Sequence, residues 1–170
     1  DILQLQDNGT NVFVVEDGGH VGIGTTNPLS NLEVTTQEGV DNADNRGIAS
    51  FQWSTIANYG GTLSLGHANH NTLGNHSAVD TGDVLGQIFF MGTAGDIGTN
   101  PFWTGASIKA TAAETWVENT NNVAEAGSYL TFHTTDIGTM QIDERMRITD
   151  AGKVGIGTTA PTYLLDVETA

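Results

Sequence analysis

The sequence contains no cysteine, only three prolines and only five lysine or arginine residues among 170. The absence of cysteine excludes disulfides and thiolate metal sites. No run approaches the roughly 20 apolar residues that a membrane-spanning helix needs, and the first residues do not resemble a signal peptide. The chain opens in mid-pattern with DILQL, which predicts a segment of a longer polypeptide.

The shortage of basic residues limits the partners of the chain. Twenty Asp and Glu residues give a formal net charge of −15 at pH 7. Phosphate backbones and anionic membrane surfaces repel such a chain, so we predict no nucleic acid partner and no membrane insertion. Only 38% of the residues are apolar and 22 are glycine, which is a thin supply for a self-contained core of this length.

Helical periodicity is also missing, because apolar residues nowhere recur at helical spacing over three turns. Short alternating runs separated by Gly, Asn and Asp are typical of strands and turns, and predict an all-β fold. Residues 84–91 form the most apolar run and are predicted to be a buried strand, whereas residues 67–83 and 92–104 are predicted to be loops. The predicted strands are residues 2–6 and 11–16, joined by an Asn-Gly hairpin turn, and residues 47–57, 62–66, 84–91, 105–115, 127–134 and 140–148.

One motif occurs twice. Residues 17–28 read DGGHVGIGTTNP, and residues 150–161, 133 positions further on, read DAGKVGIGTTAP. In each copy the proline ends the preceding strand, because proline lacks the backbone N–H that a strand ladder needs. A short apolar strand follows the proline. The chain therefore contains one long repeat and the beginning of the next.

The alternation in Val-Gly-Ile-Gly places branched side chains on one face of a strand and glycines on the other. Glycine inside a strand often marks the close approach of another backbone. Nothing nearby in the sequence is obviously fitted to cover the glycine face, so we expect other copies of the same chain to cover it. The residues predicted to pack between copies are Val21, Gly22, Ile23, Gly24, Val154, Gly155, Ile156 and Gly157.

Residues 144–159, ERMRITDAGKVGIGTT, resemble a repeat of bacteriophage tail fibres and related trimeric adhesins. The segments DVLGQIFFMG, GASI and GSYLTFHTT are similar to segments that occur in the same order in such fibres, so the resemblance covers nearly the whole chain. It implies a short-stranded, intertwined, parallel homotrimer within the tail fibre of a virion, outside the cell. It also implies host attachment through a surface glycan or another receptor, with other fibre segments as partners. Some members of the family carry a downstream chaperone that cuts itself off.

The resemblance and the composition together divide the chain into four parts. Residues 1–36 are the end of a preceding fibre repeat with the first motif, and residues 37–46 are an acidic loop or linker. Residues 47–143 are a central β domain, and residues 144–170 carry the second motif.

Few residues suggest a metal or a cofactor. His67, His70 and His76 lie within ten residues and would be tripled in a homotrimer, which makes them weak candidates for a transition metal; hydrogen-bonding loop histidines are the alternative. Asp41 and Asp44 lack the spacing of a calcium loop. The Gly-x-Gly motifs do not stand between a strand and a helix, so they predict no dinucleotide site. We predict no cofactor.

Aromatic and basic residues remain as candidates for contacts. Trp103, Phe102 and Tyr59 are predicted receptor contacts, because exposed rings stack on sugar faces. Arg145 and Arg147 stand at alternate positions of one strand and are expected to form ion pairs.

No recognisable catalytic constellation is present, so we predict a structural and adhesive protein and no enzyme. Two alternatives stay open. One is a tailspike-like depolymerase module that cleaves surface polysaccharide with paired carboxylates. The other is a non-viral cell-surface adhesin that shares the repeat. A groove in which two carboxylates converge beside exposed aromatic rings would favour the enzyme.

Overall fold

A computed structural model describes residues 2–7, 10–34, 62–70, 76–93, 102–118 and 124–169. Within these ranges all regular elements are strands, and no helix is present, which confirms the predicted all-β class. Three predictions fall outside the described residues: the strand at 47–57, the linker at 37–46 and the contact at Tyr59. The chain divides into two compact units, Asp1–Leu63 and Ser64–Ala170.

The first unit contains one four-stranded sheet. Its strands are β1 (Leu3–Asp7), β2 (Thr10–Val15), β3 (Val21–Ile23) and β4 (Leu32–Val34), in that spatial order. The β1–β2 and β2–β3 pairs are antiparallel, whereas β3 and β4 are parallel. The predicted hairpin of the first two strands is therefore confirmed, and the parallel pair that follows the motif was not predicted.

The strands of the second unit are β5 (Val84–Thr93), β6 (Phe102–Ala112), β7 (Val117–Glu118), β8 (Ala124–Glu125), β9 (Ser128–Thr135), β10 (Ile142–Ile148), β11 (Val154–Ile156) and β12 (Leu165–Val167). Six of them form a sheet in the order β12-β11-β10-β9-β6-β5, and β7 and β8 form a small hairpin. Neighbouring strands are antiparallel except for the parallel pair β11–β12. The second motif therefore lies in the same sheet as the central strands.

Most predicted strands of the second unit are confirmed, with three corrections. Residues 62–66 have no regular structure. The strand at 84–91 is present, but its burial was wrongly predicted: Phe89 and Phe90 are 51% and 54% exposed, because β5 is an edge strand and no described element packs on these two side chains. Trp103 is not in a loop, because β6 begins at Phe102 and Trp103 pairs with Gly92 of β5.

The two motifs fold identically, residue for residue. In the first unit Val14 pairs with Gly22, which pairs with Glu33. The positions 133 residues later are Arg147, Gly155 and Asp166, and they pair in the same way. Because the same strand pairs recur in both units, the motif and its two neighbouring strands form one structural module.

The described residues contain very little core. Apart from Pro28 and Pro161 in the motif loops, only Val14, Val79 and Ala112 are buried apolar side chains there. A strand needs a second layer on its apolar face to bury it, and within each unit no described element forms such a layer. Each unit therefore has an incomplete hydrophobic core.

Candidate functional site

The glycine face of each motif is covered by its own chain. A Cβ atom at Gly22 would lie 2.5 Å from the carbonyl oxygen of Thr25, and one at Gly155 would lie 2.6 Å from that of Thr158. Both glycines are buried. At these two positions the space that another copy was expected to fill is occupied by the chain's own Thr-Thr-x-Pro loop, which folds back over the glycine.

A carboxylate holds each of these loops in place. The Asp166 carboxylate accepts hydrogen bonds from the backbone N–H of Thr162 at 2.8 Å and from its hydroxyl at 3.0 Å. At the matching position of the first motif, Glu33 accepts a 2.7 Å bond from the backbone N–H of Leu29. The loop is thus closed on one side by its packing on glycine and on the other by a charge-assisted hydrogen bond.

We predict that acid weakens the second module through Asp166. Hydrogen bonds from Thr162 lower the pKa of the Asp166 carboxyl below its ordinary value of 3.8. A carboxyl with a depressed pKa stabilises the fold above its unfolded pKa, and this contribution is lost as the pH falls through the folded pKa.

The Asp166→Asn variant removes this titration. Denaturant midpoints measured between pH 6 and pH 2.5 should fall less steeply for Asp166→Asn than for the wild type. Asp150→Asn is the control, because the Asp150 side chain is exposed and does not hold the motif loop, and this variant should keep the wild-type slope. If the denaturant midpoints of the wild type and Asp166→Asn fell equally with pH, the role of this carboxylate would be contradicted.

The branched residues of the motifs lie on the opposite face from the glycines. Strand register places them in unbroken rows that cross each sheet. We call these surfaces the apolar faces. In the first unit the apolar face consists of Leu3, Leu5, Phe13, Val15, Val21, Ile23, Leu32 and Val34. In the second unit it consists of Ile88, Phe90, Ala106, Ile108, Ala110, Leu130, Phe132, Met146, Ile148, Val154, Ile156, Leu165 and Val167.

The apolar faces are exposed although they are the most hydrophobic surfaces described. Ile23 and Ile156 are each 40% exposed, and Leu165 is 62% exposed. The other face of the second sheet is polar, yet it contains the better buried side chains, including Ser107 and Thr131. Leu65 contacts the apolar face at Gly86 and is itself half-exposed. An apolar face that is more exposed than the polar face is typical of a sheet whose apolar face is covered by another molecule.

An ion pair organises the polar face of the second sheet. The Arg147 guanidinium donates to both oxygens of Glu144, at 2.5 and 2.8 Å, and lies 5.0 Å from the centre of the Tyr129 ring. The hydrogen bond with Glu144 raises the pKa of Arg147. Burial lowers the pKa of His133, and the charge of Lys109 acts in the same direction. The expected ion pairs of Arg145 and Arg147 are confirmed, since Arg145 binds Asp136 and Asp143.

We expect Arg147→Met to destabilise the second unit by about 1.5–3 kcal/mol, because it leaves the half-buried Glu144 carboxylate without its partner. The Arg145→Met variant is the matched control. Its partner Asp136 is 61% exposed, so the loss should stay within about 1 kcal/mol. Urea denaturation followed by circular dichroism at a fixed protein concentration measures both changes. Equal losses for the two variants would contradict the prediction.

Trp103 lies in an open groove of about 470 Å³ at one end of the second sheet. The indole is 45% exposed, and the groove also contains methionine side chains and threonine hydroxyl groups. Among the described residues no carboxylate lines it: Asp136 and Asp143 instead bind Arg145. The lining residues are Met91, Gly92, Phe102, Trp103, Thr104, Gly105, Thr135, Thr139, Met140 and Ile142.

The histidine candidates do not form a cluster of ligands. His67, His70 and His76 are exposed, and no three His, Asp or Glu side chains within the described ranges could hold a metal ion together. Nor does the described part of the chain include a helix that could cross a membrane.

Sequence reasoning missed the apolar rows. Each row takes one residue from every strand of a sheet, so it is recognised only once the register of the strand pairs is known.

The chain matches no protein-family model, and no curated protein is similar to it.

Proposed function

We propose that the chain is a structural and adhesive segment of a bacteriophage tail fibre, in which three copies assemble in parallel around a threefold axis. Such a segment belongs to the virion, lies outside the cell and joins other fibre segments at its ends. The observation that carries the proposal is the pair of exposed apolar faces in a chain whose described residues include very few buried apolar side chains.

Two further features support this proposal. The motif of residues 144–159 resembles the fibre repeat, and its fold recurs 133 positions earlier with the same strand pairs. A module that repeats along the chain suits an elongated protein built from successive similar units. The net charge of −15 keeps such an assembly soluble.

The mass of the purified segment tests the proposal. Light scattering coupled to size-exclusion chromatography should give three times the chain mass of 17.9 kDa. The measurement is repeated over a hundredfold range of concentration, because a weak assembly dissociates on dilution by mass action. A folded monomer of 17.9 kDa at all concentrations would overturn the proposal.

For the adhesive role, the Trp103 groove is the best candidate contact with a host glycan. A half-exposed indole offers a flat apolar surface for a sugar ring, and neighbouring hydroxyl groups offer hydrogen bonds. A glycan array probed with the wild type and with Trp103→Ala tests this role. Loss of binding by Trp103→Ala, with Phe89→Ala unchanged as a control on a different exposed aromatic, supports the contact. Unchanged binding by Trp103→Ala removes the residue from the site.

A depolymerase module and a non-viral adhesin remain the alternative proposals. The depolymerase would need two carboxylates beside the aromatic rings of a groove, and the residues described in the wall of the Trp103 groove include none. Release of reducing sugar ends from host polysaccharide would establish the enzyme. A non-viral adhesin would share the trimer and differ in its source and receptor.

A further inference from the structure

We infer that the apolar faces, and not the glycine faces, are the surfaces that copies of this chain bury against one another. The inference rests on the proposed homotrimer and specifies its interface. In the second unit the interface is the row that runs through Ile88, Ile108, Phe132, Met146, Ile156 and Val167, together with the adjacent row that ends at Leu165 and the neighbouring pair Phe90 and Ala106. The polar face, with Arg147 and Glu144, then points away from the other copies.

The first argument is recurrence. The apolar face of the first unit carries Phe13, Val15 and Ile23 at the positions where the second unit carries Met146, Ile148 and Ile156. Whatever covers these faces must therefore be available at both places along the chain. A second copy of the chain, aligned in parallel, places the apolar face of its own first module against the first module and that of its second module against the second. An unrelated partner would need the same repeat.

The second argument is charge. The two rows of the second sheet contain no ionisable residue, although the chain carries a net charge of −15. Among the charged residues of the sheet's strand pairs, Lys109, Glu144, Arg147 and Asp166 register on the polar face. Asp143, opposite Thr134, registers on the other face, but it lies beyond the end of the two rows. Copies of one chain repel each other wherever acidic surfaces meet, so a contact between copies needs a surface free of charge. A basic partner would instead gain from an acidic surface, which these rows do not offer.

The third argument is size. Six strands about 4.8 Å apart, each contributing a depth of about three residues at roughly 3.4 Å per residue, give a flat area on the order of 300 Å². Side-chain relief increases the accessible area further, and the first unit adds a face of its own. Such a patch is as large as the largest apolar patches of ordinary monomers, which usually mark binding sites. Three chains that pool these faces obtain the shared core that each unit lacks.

Phe89 and Phe90 provide a matched test. They are neighbours on β5, 51% and 54% exposed, and they lie on opposite faces, since Phe89 pairs with Ser107 and Phe90 with Ala106. The chain has no cysteine, so Phe89→Cys and Phe90→Cys each introduce a single thiol. The assembled proteins are treated with a charged maleimide, and the labelling rate is followed by mass spectrometry.

We expect the thiol of Phe90→Cys to react at least tenfold more slowly than that of Phe89→Cys. Ile88→Cys serves as a second probe of the apolar face if Phe90→Cys does not assemble. If the particles contain three chains but all thiols react at the same rate, the interface assignment is wrong and the homotrimer stands. If the wild type is a monomer, the proposed function itself fails. Slow labelling of Phe89→Cys with fast labelling of Phe90→Cys would assign the interface to the polar face.

Discussion

Replacing Gly155 with alanine should lower the free energy of unfolding by about 2–3 kcal/mol, because the added methyl group meets backbone instead of a movable side chain. The nearest atom to a Cβ at this position is the Thr158 carbonyl oxygen at 2.6 Å, followed by the Thr158 methyl group at 3.3 Å and the Pro161 ring at 3.4 Å. The loop cannot retreat freely, since Asp166 binds its other side at Thr162. Denaturant midpoints at fixed protein concentration measure the loss.

The control is Gly92→Ala in β5. No described atom lies within 4 Å of a Cβ at Gly92, so this change should be neutral or stabilise by up to about 1 kcal/mol, through the entropy of the unfolded chain. Gly22→Ala in the first unit should behave like Gly155→Ala, because the Thr25 carbonyl oxygen takes the same place. If Gly155→Ala were as harmless as Gly92→Ala, the loop would not be packed on the strand as described.

Replacing Ile156 with aspartate should weaken assembly of the proposed trimer at least a thousandfold, which corresponds to about 4 kcal/mol. Each copy would bring an unpaired carboxylate into a surface without any cation, and burying such a charge costs several kcal/mol. In the separate chain Ile156 is 40% exposed, so the same carboxylate stays hydrated there and costs little. Sedimentation equilibrium over a wide concentration range measures the change in association.

Phe89→Asp is the control for this second prediction. Phe89 is also exposed and apolar, but it lies on the polar face next to Ser107. The variant should assemble like the wild type, and both variants should retain the circular dichroism of β structure when they are assembled. Wild-type association of Ile156→Asp would show that the apolar face of the second unit stays in water, and the interface would have to be sought elsewhere.

The two predictions address different sides of the same three-residue strand. β11 places Gly155 against its own loop and Ile156 on the apolar face. Damage on the glycine side should appear in the stability of the module, whereas damage on the branched side should appear in association. Strand alternation thus separates the two roles within one short motif.

Several features of the fold were predictable from residues alone. The absence of helical periodicity and the Gly/Asn turns predicted the all-β class, and alternation placed most strands of the second unit. The prediction of a strand at 62–66 was wrong. Leu63 and Leu65 imitate strand alternation, but no described strand pairs with this segment. The prediction of a loop at 92–104 was wrong at Trp103. Pro101 is typical of a loop, but β6 begins at the next residue, Phe102.

The amino-acid sequence by itself determined that two copies of a motif exist, that each alternates glycine with branched residues, and that one face of each must be covered. Which face the chain covers for itself was decided only by the tertiary structure. The Thr-Thr-x-Pro loop returns over the glycines because the parallel strand that follows it must pair with the motif, and the path to that strand crosses the glycine side. The local sequence pattern gives the alternation of glycine and branched residues. Only the position of the Thr-Thr-x-Pro loop and the register of distant strands show that the glycine side is already covered.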